Sequence, residues 1–154
     1  MDPVVPEDDV QRASVSYDSS CPFCTLQREA DLLLENELCF AVLDRYPVSA
    51  GHTLVVPRRH VPDCFQLTAA ELFSAAELLQ RRRLDLLESD PSVRGFNVGA
   101  NCGGVAGQTI AHCHVHLIPR RRGDTPRPQG GVRGAVPGRM GYPCESSEGM
   151  PESG

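Results

Sequence analysis

The pattern of apolar and polar residues divides the chain into a central folded part and two arms. Residues 1–18 are acidic and contain proline without apolar periodicity, and residues 123–154 are rich in Gly, Pro and Ser. Such segments bury too little apolar surface to fold by themselves. We predict a flexible acidic arm at 1–18, a folded domain at 19–122 and an extended C-terminal segment at 123–154, in which docking of residues 127–138 as a fixed loop stays open.

Short apolar segments in the central part predict β-strands. They are Cys39–Leu43, Gly51–Pro57, Gly95–Gly99 and Ile110–Ile118. The first two are joined by a turn around Pro47 and Gly51, so we expect them to pair as antiparallel neighbours. A glycine-rich loop, residues 101–108, precedes the last strand.

One long helix is predicted from Thr68 to a point before Pro91. Thr68 is a suitable N-cap, and Glu71 three residues later completes a capping box. Apolar residues then recur at helical spacing, at Leu72, Phe73, Ala76, Leu79 and Leu86. Helix and strands together predict an α+β fold, with a mainly antiparallel sheet and one long helix.

Composition and charge favour a globular domain and argue against nucleic-acid binding and membrane insertion. A chain of 154 residues with 40% hydrophobic and 23% charged residues fits a single globular domain. The net charge of −5 argues against general nucleic-acid binding, which needs basic surface. The apolar runs are far shorter than the roughly 20 residues that span a bilayer, and the acidic start does not resemble a secretory signal. We expect a cytoplasmic protein that binds neither nucleic acid nor membrane.

Three of the five histidines occupy alternate positions, at His112, His114 and His116. On a strand they share one face, while Cys113 and Leu117 point to the other. A row of imidazoles offers no packing advantage over Val or Ile, so the pattern indicates metal binding or reactivity. Two of these histidines with a third ligand could hold a catalytic zinc.

The flanking residues favour phosphate chemistry over a catalytic metal. Glycines 103, 104 and 107, with Gln108 and Thr109, form a loop whose N–H groups and hydroxyl suit an anion. Three arginines, 120 to 122, lie just beyond the predicted strand. The sequence therefore predicts a local phosphate site beside the imidazoles.

The run from Gly107 to Arg120 resembles the signature of the histidine-triad family, in which alternating histidines follow Gly-Gln-Ser/Thr. The resemblance extends from about Ser20 to Arg122, and Gly130-Gly131-Val132-Arg133 is similar to bacterial members near the fragile-histidine-triad branch. It implies a domain of that fold at 19–122 and a homodimer formed by sheet extension.

The resemblance also implies a role for each site residue. His114 corresponds to the nucleophile that attacks the α-phosphorus, leaving a nucleotidyl-histidine for water to cleave. His116 and His52 correspond to histidines near that phosphate. Substrate contacts are implied for Asp44, Asn97, Asn101, Gly107, Gln108 and Thr109. Asp44 would bind the ribose hydroxyls, although an aspartate that caps a turn is the alternative, and His52 has a similar alternative as a turn histidine.

The spacing of Cys21 and Cys24 suits two zinc ligands, but the pair needs two more. By resemblance to zinc-bearing members of the family, His60 and His112 complete a structural Cys₂His₂ site, and no organic cofactor is expected. A reduced pair without metal is the alternative. Redox chemistry of the thioredoxin type is disfavoured because no βαβ pattern surrounds the pair. The other cysteines have no ligand spacing and are interpreted as small apolar residues.

The resemblance implies a hydrolase or transferase that acts on a dinucleoside polyphosphate such as Ap4A or Ap3A, with a purine nucleotide as ligand. Three alternatives stay open. They are hydrolysis of nucleoside phosphoramidates, phosphorolysis with phosphate as acceptor, and nucleotide sensing without turnover.

Overall fold

The computed structural model describes residues 17–29 and 31–141. Two α-helices are present in this part of the chain, α1 at Pro22–Glu29 and α2 at Ala69–Ser89. The strands are β1 at Leu34–Glu35, β2 at Cys39–Leu43, β3 at Thr53–Pro57, β4 at Val93–Gly99 and β5 at Val115–Arg121. Short 3₁₀ helices lie at Cys64–Gln66 and Gly104–Ala106, and two further 3₁₀ turns within Pro128–Ala135 are separated by a kink at Gly131.

The five strands form one sheet in the order β1-β2-β3-β5-β4. Every neighbouring pair is antiparallel, and β2 pairs with β3 along its whole length, from Cys39 opposite Pro57 to Leu43 opposite Thr53. The predicted α+β fold, the antiparallel β2 and β3 pair and the single long helix are confirmed. α1 and β1 were missed because each is too short to show a period.

Opposite faces of the sheet bury different partners, as the alternation of strand side chains requires. On one face, Cys39, Ala41 and Val55 pack against residues of α2, chiefly Ala75 and Leu78. On the other, Phe40, Val42, Leu54 and Val56 pack against Phe23 of α1 and the two neighbouring cysteines. The helix therefore lies behind the sheet, and α1 lies on the opposite face.

The predicted start of α2 is confirmed, and Leu79 and Leu86 of its predicted apolar row face the core. Thr68 caps the helix, and its side chain and that of Glu71 form the expected reciprocal bonds. However, Leu72 and Phe73 are 51% and 79% exposed, and Ala76 is also exposed. The face that packs on the sheet consists of Glu71, Ala75, Leu78 and Leu86. Because the buried face includes the charged residue Glu71, the positions of apolar residues alone do not predict how the helix is oriented.

Glu71 is buried because it forms an ion pair with Arg59. Arg59 Nε and Nη2 donate to the two carboxylate oxygens of Glu71 over 2.7 and 2.9 Å. Burial raises the pKa of Glu71, but the bonds from Arg59 and the Thr68 backbone more than offset this and lower it. The pair joins the start of α2 to the segment that follows β3.

The predicted strand Ile110–Ile118 is also corrected. The strand begins only at Val115 and continues to Arg121, while residues 110–114 form bends and irregular backbone. β3 pairs with β5 no further than Val55 opposite Val115. Beyond that point the Cys113 N–H donates to the Val61 carbonyl, 2.7 Å away, in place of a ladder bond. β3 and β4 also begin two residues away from their predicted starts.

The chain divides into two compact units, Met1–Asp124 and Thr125–Gly154. In the described part of the second, Arg133 Nε donates to the Met140 carbonyl over 3.1 Å. The predicted arm at 1–18 lies almost wholly outside the described residues, and the predicted domain boundaries stay predictions. Among the described residues, no helix has the length and apolar character needed to cross a membrane.

The Arg59 and Glu71 ion pair predicts the effect of Glu71→Gln. The substitution leaves a mostly buried guanidinium without its counter-charge, so the free energy of unfolding should fall by about 2–3 kcal/mol. Urea denaturation measures the change. Glu88→Gln, at an exposed position of the same helix, is the control and should change stability by less than about 0.5 kcal/mol. Equal losses in both variants would contradict a specific role for the pair.

Candidate functional site

All five histidines gather on one side of the molecule, at and beside the face of the sheet that carries α1. His116 pairs in register with Leu54 of β3, and Leu54 belongs to the cluster around α1. His52 ends the turn before β3, His60 follows β3, and His112 and His114 lie on the irregular segment before β5. Thus α2 supports the sheet from behind without entering the site.

Cys21, Cys24, His60 and His112 form one cluster, as predicted for a metal site. Their ligand atoms all lie within 4.8 Å of one another. The His112 Nδ1 atom is 3.4 Å from Cys21 Sγ and 3.6 Å from Cys24 Sγ, and His60 Nδ1 is 3.4 Å from Cys24 Sγ. Sulfur and nitrogen ligands of one tetrahedral zinc are separated by about 3.5 Å. The donor set and its spacing therefore fit structural zinc.

A backbone carbonyl determines which ring nitrogen of His112 carries the proton. Its Nε2 lies 2.8 Å from the Pro57 carbonyl oxygen, and because a carbonyl can only accept, Nε2 carries the proton. The Nδ1 lone pair then points at the cysteine sulfurs. Burial lowers the pKa of His112 to about 4, so the ring is neutral near pH 7. A neutral imidazole with a free Nδ1 is the form that binds a metal.

His114 is fixed in the same way by the next carbonyl along the chain. Its Nδ1 lies 2.8 Å from the His112 carbonyl oxygen, so Nδ1 is the donor and the Nε2 lone pair remains free. The half-buried ring packs against Phe23 and His116, with centroid separations of 4.9 and 5.2 Å. This tautomer presents Nε2 as a nucleophile.

His52 and His116 are joined by a hydrogen bond whose direction is also determined. The Val48 N–H donates to His52 Nδ1 over 3.2 Å. His52 Nε2 therefore carries the proton and donates to His116 Nδ1 over 2.9 Å. His116 in turn carries its proton on Nε2. The structure thus places a potential donor, His116, beside a potential nucleophile, His114.

Asp44 lies against this histidine pair. Its Oδ2 is 3.4 Å from His52 Nε2 and 3.8 Å from His116 Nδ1. Burial lowers the pKa of both histidines, and the Asp44 charge raises both in part. Asp44 Oδ1 also accepts from the Tyr46 N–H over 2.8 Å. The turn-capping role considered from the sequence is therefore present, whereas the ribose contact stays a prediction.

The spacing of Asp44, His52 and His116 distinguishes hydrogen bonding from metal binding. Their ligand atoms also lie within 4.8 Å of one another. However, two nitrogen ligands of a tetrahedral zinc are about 3.3 Å apart, and the nitrogens of His52 and His116 are only 2.9 Å apart. That separation is typical of an N–H···N hydrogen bond. The group is accounted for without a metal.

The glycine-rich loop is held in shape by its own polar side chains. Gln108 Oε1 accepts from the Gly103 N–H over 2.8 Å, and Gln108 Nε2 donates to the carbonyls of Pro62 and Ile110. Asn101 Nδ2 donates to the Gly107 carbonyl over 3.2 Å. Gly107, at φ +89°, adopts a backbone conformation that L side chains avoid. Thr109 is exposed. The phosphate contacts of this loop stay predictions.

Two of the three arginines that the sequence places near a phosphate site, Arg120 and Arg121, are engaged by other residues of the protein. Arg120 donates to both carboxylate oxygens of Asp124, each over 2.8 Å, and to Asn97 Oδ1 over 2.6 Å. Arg121 Nη2 binds Asp90 Oδ2 at 2.7 Å. Both guanidinium groups are therefore engaged within the protein. Asn97 pairs with Ile118 and so lies on the same face as His116, with its amide nitrogen turned away from Arg120.

Three contacts were not indicated by the sequence. Phe23 lies between the two cysteines and packs on His114, Arg120 donates to Asn97, and Cys64 meets Cys102. These contacts depend on the fold, which brings residues remote in the sequence together.

Comparison with known proteins agrees with this geometry. Residues 25–123 match the HIT domain family. An uncharacterized HIT-like protein of Mycoplasma genitalium is 36% identical over 105 residues, 66% of this chain and 74% of its own. The AP-4-A phosphorylase of Mycobacterium tuberculosis is 36% identical over 110 residues, 67% of this chain and 55% of its own. The bis(5'-adenosyl)-triphosphatase of Dictyostelium discoideum is 36% identical over 99 residues, 64% of this chain and 66% of its own. The chain thus spans little more than half of that phosphorylase.

The fold is also similar to solved structures of histidine-triad proteins. A HIT family protein from Bacillus anthracis superposes with a TM-score of 0.63 at 34% identity, over 69% of this chain and 77% of that one. A Zn-bound histidine triad family protein from Mycobacterium smegmatis gives a TM-score of 0.62 at 32% identity, over 74% of this chain and 88% of that one. Since the family match covers more than half of the residues, and the fold and histidine arrangement agree with it, the chain belongs to the HIT, or histidine-triad, family.

Proposed function

We propose that the protein cleaves a dinucleoside polyphosphate at the α-phosphate through a covalent intermediate on His114. The observation that carries the proposal is the hydrogen bond from His114 Nδ1–H to the His112 carbonyl. It leaves the Nε2 lone pair free in an imidazole that needs no base to activate it. The nearby His116 carries its proton on Nε2, as its bond from His52 requires.

In the proposed reaction, His114 Nε2 attacks the α-phosphorus. The nitrogen–phosphorus bond forms as the bond to the bridging oxygen breaks, and the remaining nucleoside polyphosphate leaves. In this proposal the His116 Nε2–H donates to a phosphate oxygen and stabilises the developing charge. Water then attacks the nucleotidyl-histidine, releases a nucleoside monophosphate and restores His114. Asn97 and Asp44 bind the phosphate and the ribose in this proposal.

The similar proteins support a dinucleoside polyphosphate as the substrate class. Relatives in Mycobacterium tuberculosis, Dictyostelium discoideum and Schizosaccharomyces pombe are named a phosphorylase, a triphosphatase and a tetraphosphatase of such compounds. At the level of the family, these names confirm the expectation of an enzyme. The choice between Ap4A and Ap3A, the predicted homodimer and the predicted cytoplasmic location stay predictions.

Phosphorolysis is a second candidate, because the mycobacterial relative is named a phosphorylase. The two reactions share the intermediate and differ only in the acceptor. Attack by phosphate would release a nucleoside diphosphate in place of the monophosphate.

We also propose that Cys21, Cys24, His60 and His112 bind structural zinc. Four thiolate and imidazole ligands leave no open position for substrate, so the metal would stabilise the fold rather than react. Its ligands join α1 to the segments after β3 and before β5. The Zn-bound neighbour from Mycobacterium smegmatis supports this assignment.

Replacing the nucleophile should abolish turnover. His114→Ala removes the attacking nitrogen, so the rate of Ap4A cleavage should fall by at least about 1,000-fold. Wild-type protein mixed with labelled Ap4A and quenched in base should retain label that acid releases, as a phosphoramidate does. His116→Asn is the matched variant and should slow the reaction while still forming the labelled protein. Unchanged turnover in His114→Ala would contradict the covalent mechanism.

The products of the reaction identify whether water or phosphate accepts the nucleotidyl group. Hydrolysis of Ap4A at the α-phosphate should give AMP, and phosphorolysis should give ADP that contains phosphorus from labelled inorganic phosphate. We expect AMP in phosphate-free buffer, with no acceleration when phosphate is added. Labelled ADP that increases with phosphate concentration would establish the second candidate.

The zinc proposal predicts a stoichiometry. Wild-type protein purified with added zinc should contain one zinc per chain by inductively coupled plasma mass spectrometry. Cys24→Ser should lose most of it and should unfold at a lower temperature, because ligand loss removes folding free energy. Cys39→Ser, at another buried cysteine that lies outside the cluster, should keep one zinc. Retention of full zinc content by Cys24→Ser would exclude the assigned ligand.

The histidine pair predicts a pH dependence. Since burial lowers the pKa of His52 and His116 in the folded protein, both rings should titrate below the ordinary pKa of about 6.5. The unfolded chain then binds these protons at higher pH, so the free energy of unfolding should fall as pH drops below about 6.5. Titration of the ring signals by NMR measures both midpoints.

The Asp44→Asn variant predicts the direction in which the pKa values of His52 and His116 change. The Asp44 carboxylate raises the pKa of both histidines, so its replacement by a neutral amide should move both midpoints to still lower pH. A shift to higher pH would show that Asp44 does not act on the pair through its charge.

A further inference from the structure

A second pair of thiols lies outside the zinc cluster. Cys64 begins the 3₁₀ helix that follows β3, and Cys102 lies in the glycine-rich loop. Their sulfurs are 3.4 Å apart although 38 residues separate them along the chain. Both cysteines are free and only partly buried. The fold therefore brings two accessible thiols into direct contact.

The pair needs only a small movement to form a covalent bond. The sulfurs must approach by about 1.3 Å to reach the 2.05 Å length of a disulfide. Neither cysteine lies in the sheet, and Gly103, which follows Cys102, has no atom within 4 Å of the position of an added Cβ. The backbone beside Cys102 therefore has space to adjust. By contrast, Cys39 and Cys113 are buried.

We propose that Cys64 and Cys102 are a redox-active pair, which a hydroperoxide converts into an intramolecular disulfide that fastens the glycine-rich loop to the segment after β3. In the first step a thiolate sulfur attacks the peroxide. The sulfur–oxygen bond forms, the oxygen–oxygen bond breaks, and an alcohol or water leaves. In the second step the other sulfur attacks the sulfenic acid, the disulfide forms, and water leaves. Two electrons and both thiol protons pass to the peroxide.

Neither thiol is singled out as the first to react. Both cysteines are partly buried, and each adjoins an exposed residue, Phe65 beside Cys64 and Gly103 beside Cys102. Whichever sulfur becomes the sulfenic acid, the other thiol attacks it and supplies the proton that leaves with hydroxide.

The disulfide would make permanent a contact that is now reversible. The loop rests on the segment after β3 through the bond from Gln108 to the Pro62 carbonyl, and Gln108 also holds the Gly103 N–H. A link one residue before Gly103 would restrict the same loop. This inference does not depend on the proposed function, since bond formation is measured without nucleotide.

The experiment treats the zinc-loaded full chain with a small excess of hydrogen peroxide. Remaining thiols are alkylated, and the protein is digested without reduction and analysed by mass spectrometry. We expect a loss of two hydrogens, a linked pair of peptides containing Cys64 and Cys102, and restoration by dithiothreitol. Cys64→Ser and Cys102→Ser should each prevent the link, and Cys113→Ala should keep it.

Hydrogen exchange of the oxidised protein tests the effect on the loop. Amides in residues 103–108 should exchange several-fold more slowly than in the reduced protein, and those of α2 should not change. If the disulfide forms but the exchange rates of these loop amides do not change, the proposed restriction of the loop is overturned. A first disulfide between Cys21 and Cys24 with zinc release, a link that includes Cys113, or separate oxidation of Cys64 and Cys102 to sulfinic acids would each overturn the assignment of the pair.

Discussion

The site depends on the hydrogen bonds and lone pair of one buried residue, His112. Its Nε2–H binds the Pro57 carbonyl, its own carbonyl accepts from His114 Nδ1, and its Nδ1 lone pair points at the two cysteine sulfurs. These interactions tie the end of β3, His114 and α1 together. Because a carbonyl only accepts, each bond also determines which ring nitrogen has the proton. The arrangement of protons thus follows from the backbone path between Pro57 and His114.

His52 and His116 are organised by the same principle. The Val48 N–H donates to His52 Nδ1, so His52 carries its proton on Nε2 and donates it to His116. His114 and His116, two residues apart, thereby receive opposite tautomers. One presents a lone pair on Nε2 and the other presents a proton on the same atom. Identical side chains can therefore act as nucleophile and donor without any difference in their chemistry.

Much of this arrangement could be predicted from the sequence. The capping box at Thr68, the strand Cys39–Leu43 and the cysteine and histidine cluster follow from local spacing and from the resemblance to the family. What failed depends on partners remote in the sequence. Leu72 and Phe73 of the predicted apolar row are exposed, and Glu71, paired with Arg59, is buried on α2 in their place. The last strand was predicted too long because the Cys113 N–H bonds to the Val61 carbonyl. The partners of Arg120, Asn97 and Asp124, become evident only in the folded sheet.

The bond that orients His114 comes from the main chain of residue 112, and every amino acid provides that carbonyl. The metal ligand at the same position comes from the imidazole, which few residues can replace. A substitution at position 112 would therefore remove the nitrogen that faces the cysteine sulfurs without changing the proton on His114, provided that the backbone kept its path. The proposed zinc site and the orientation of His114 are thus separable properties of one residue.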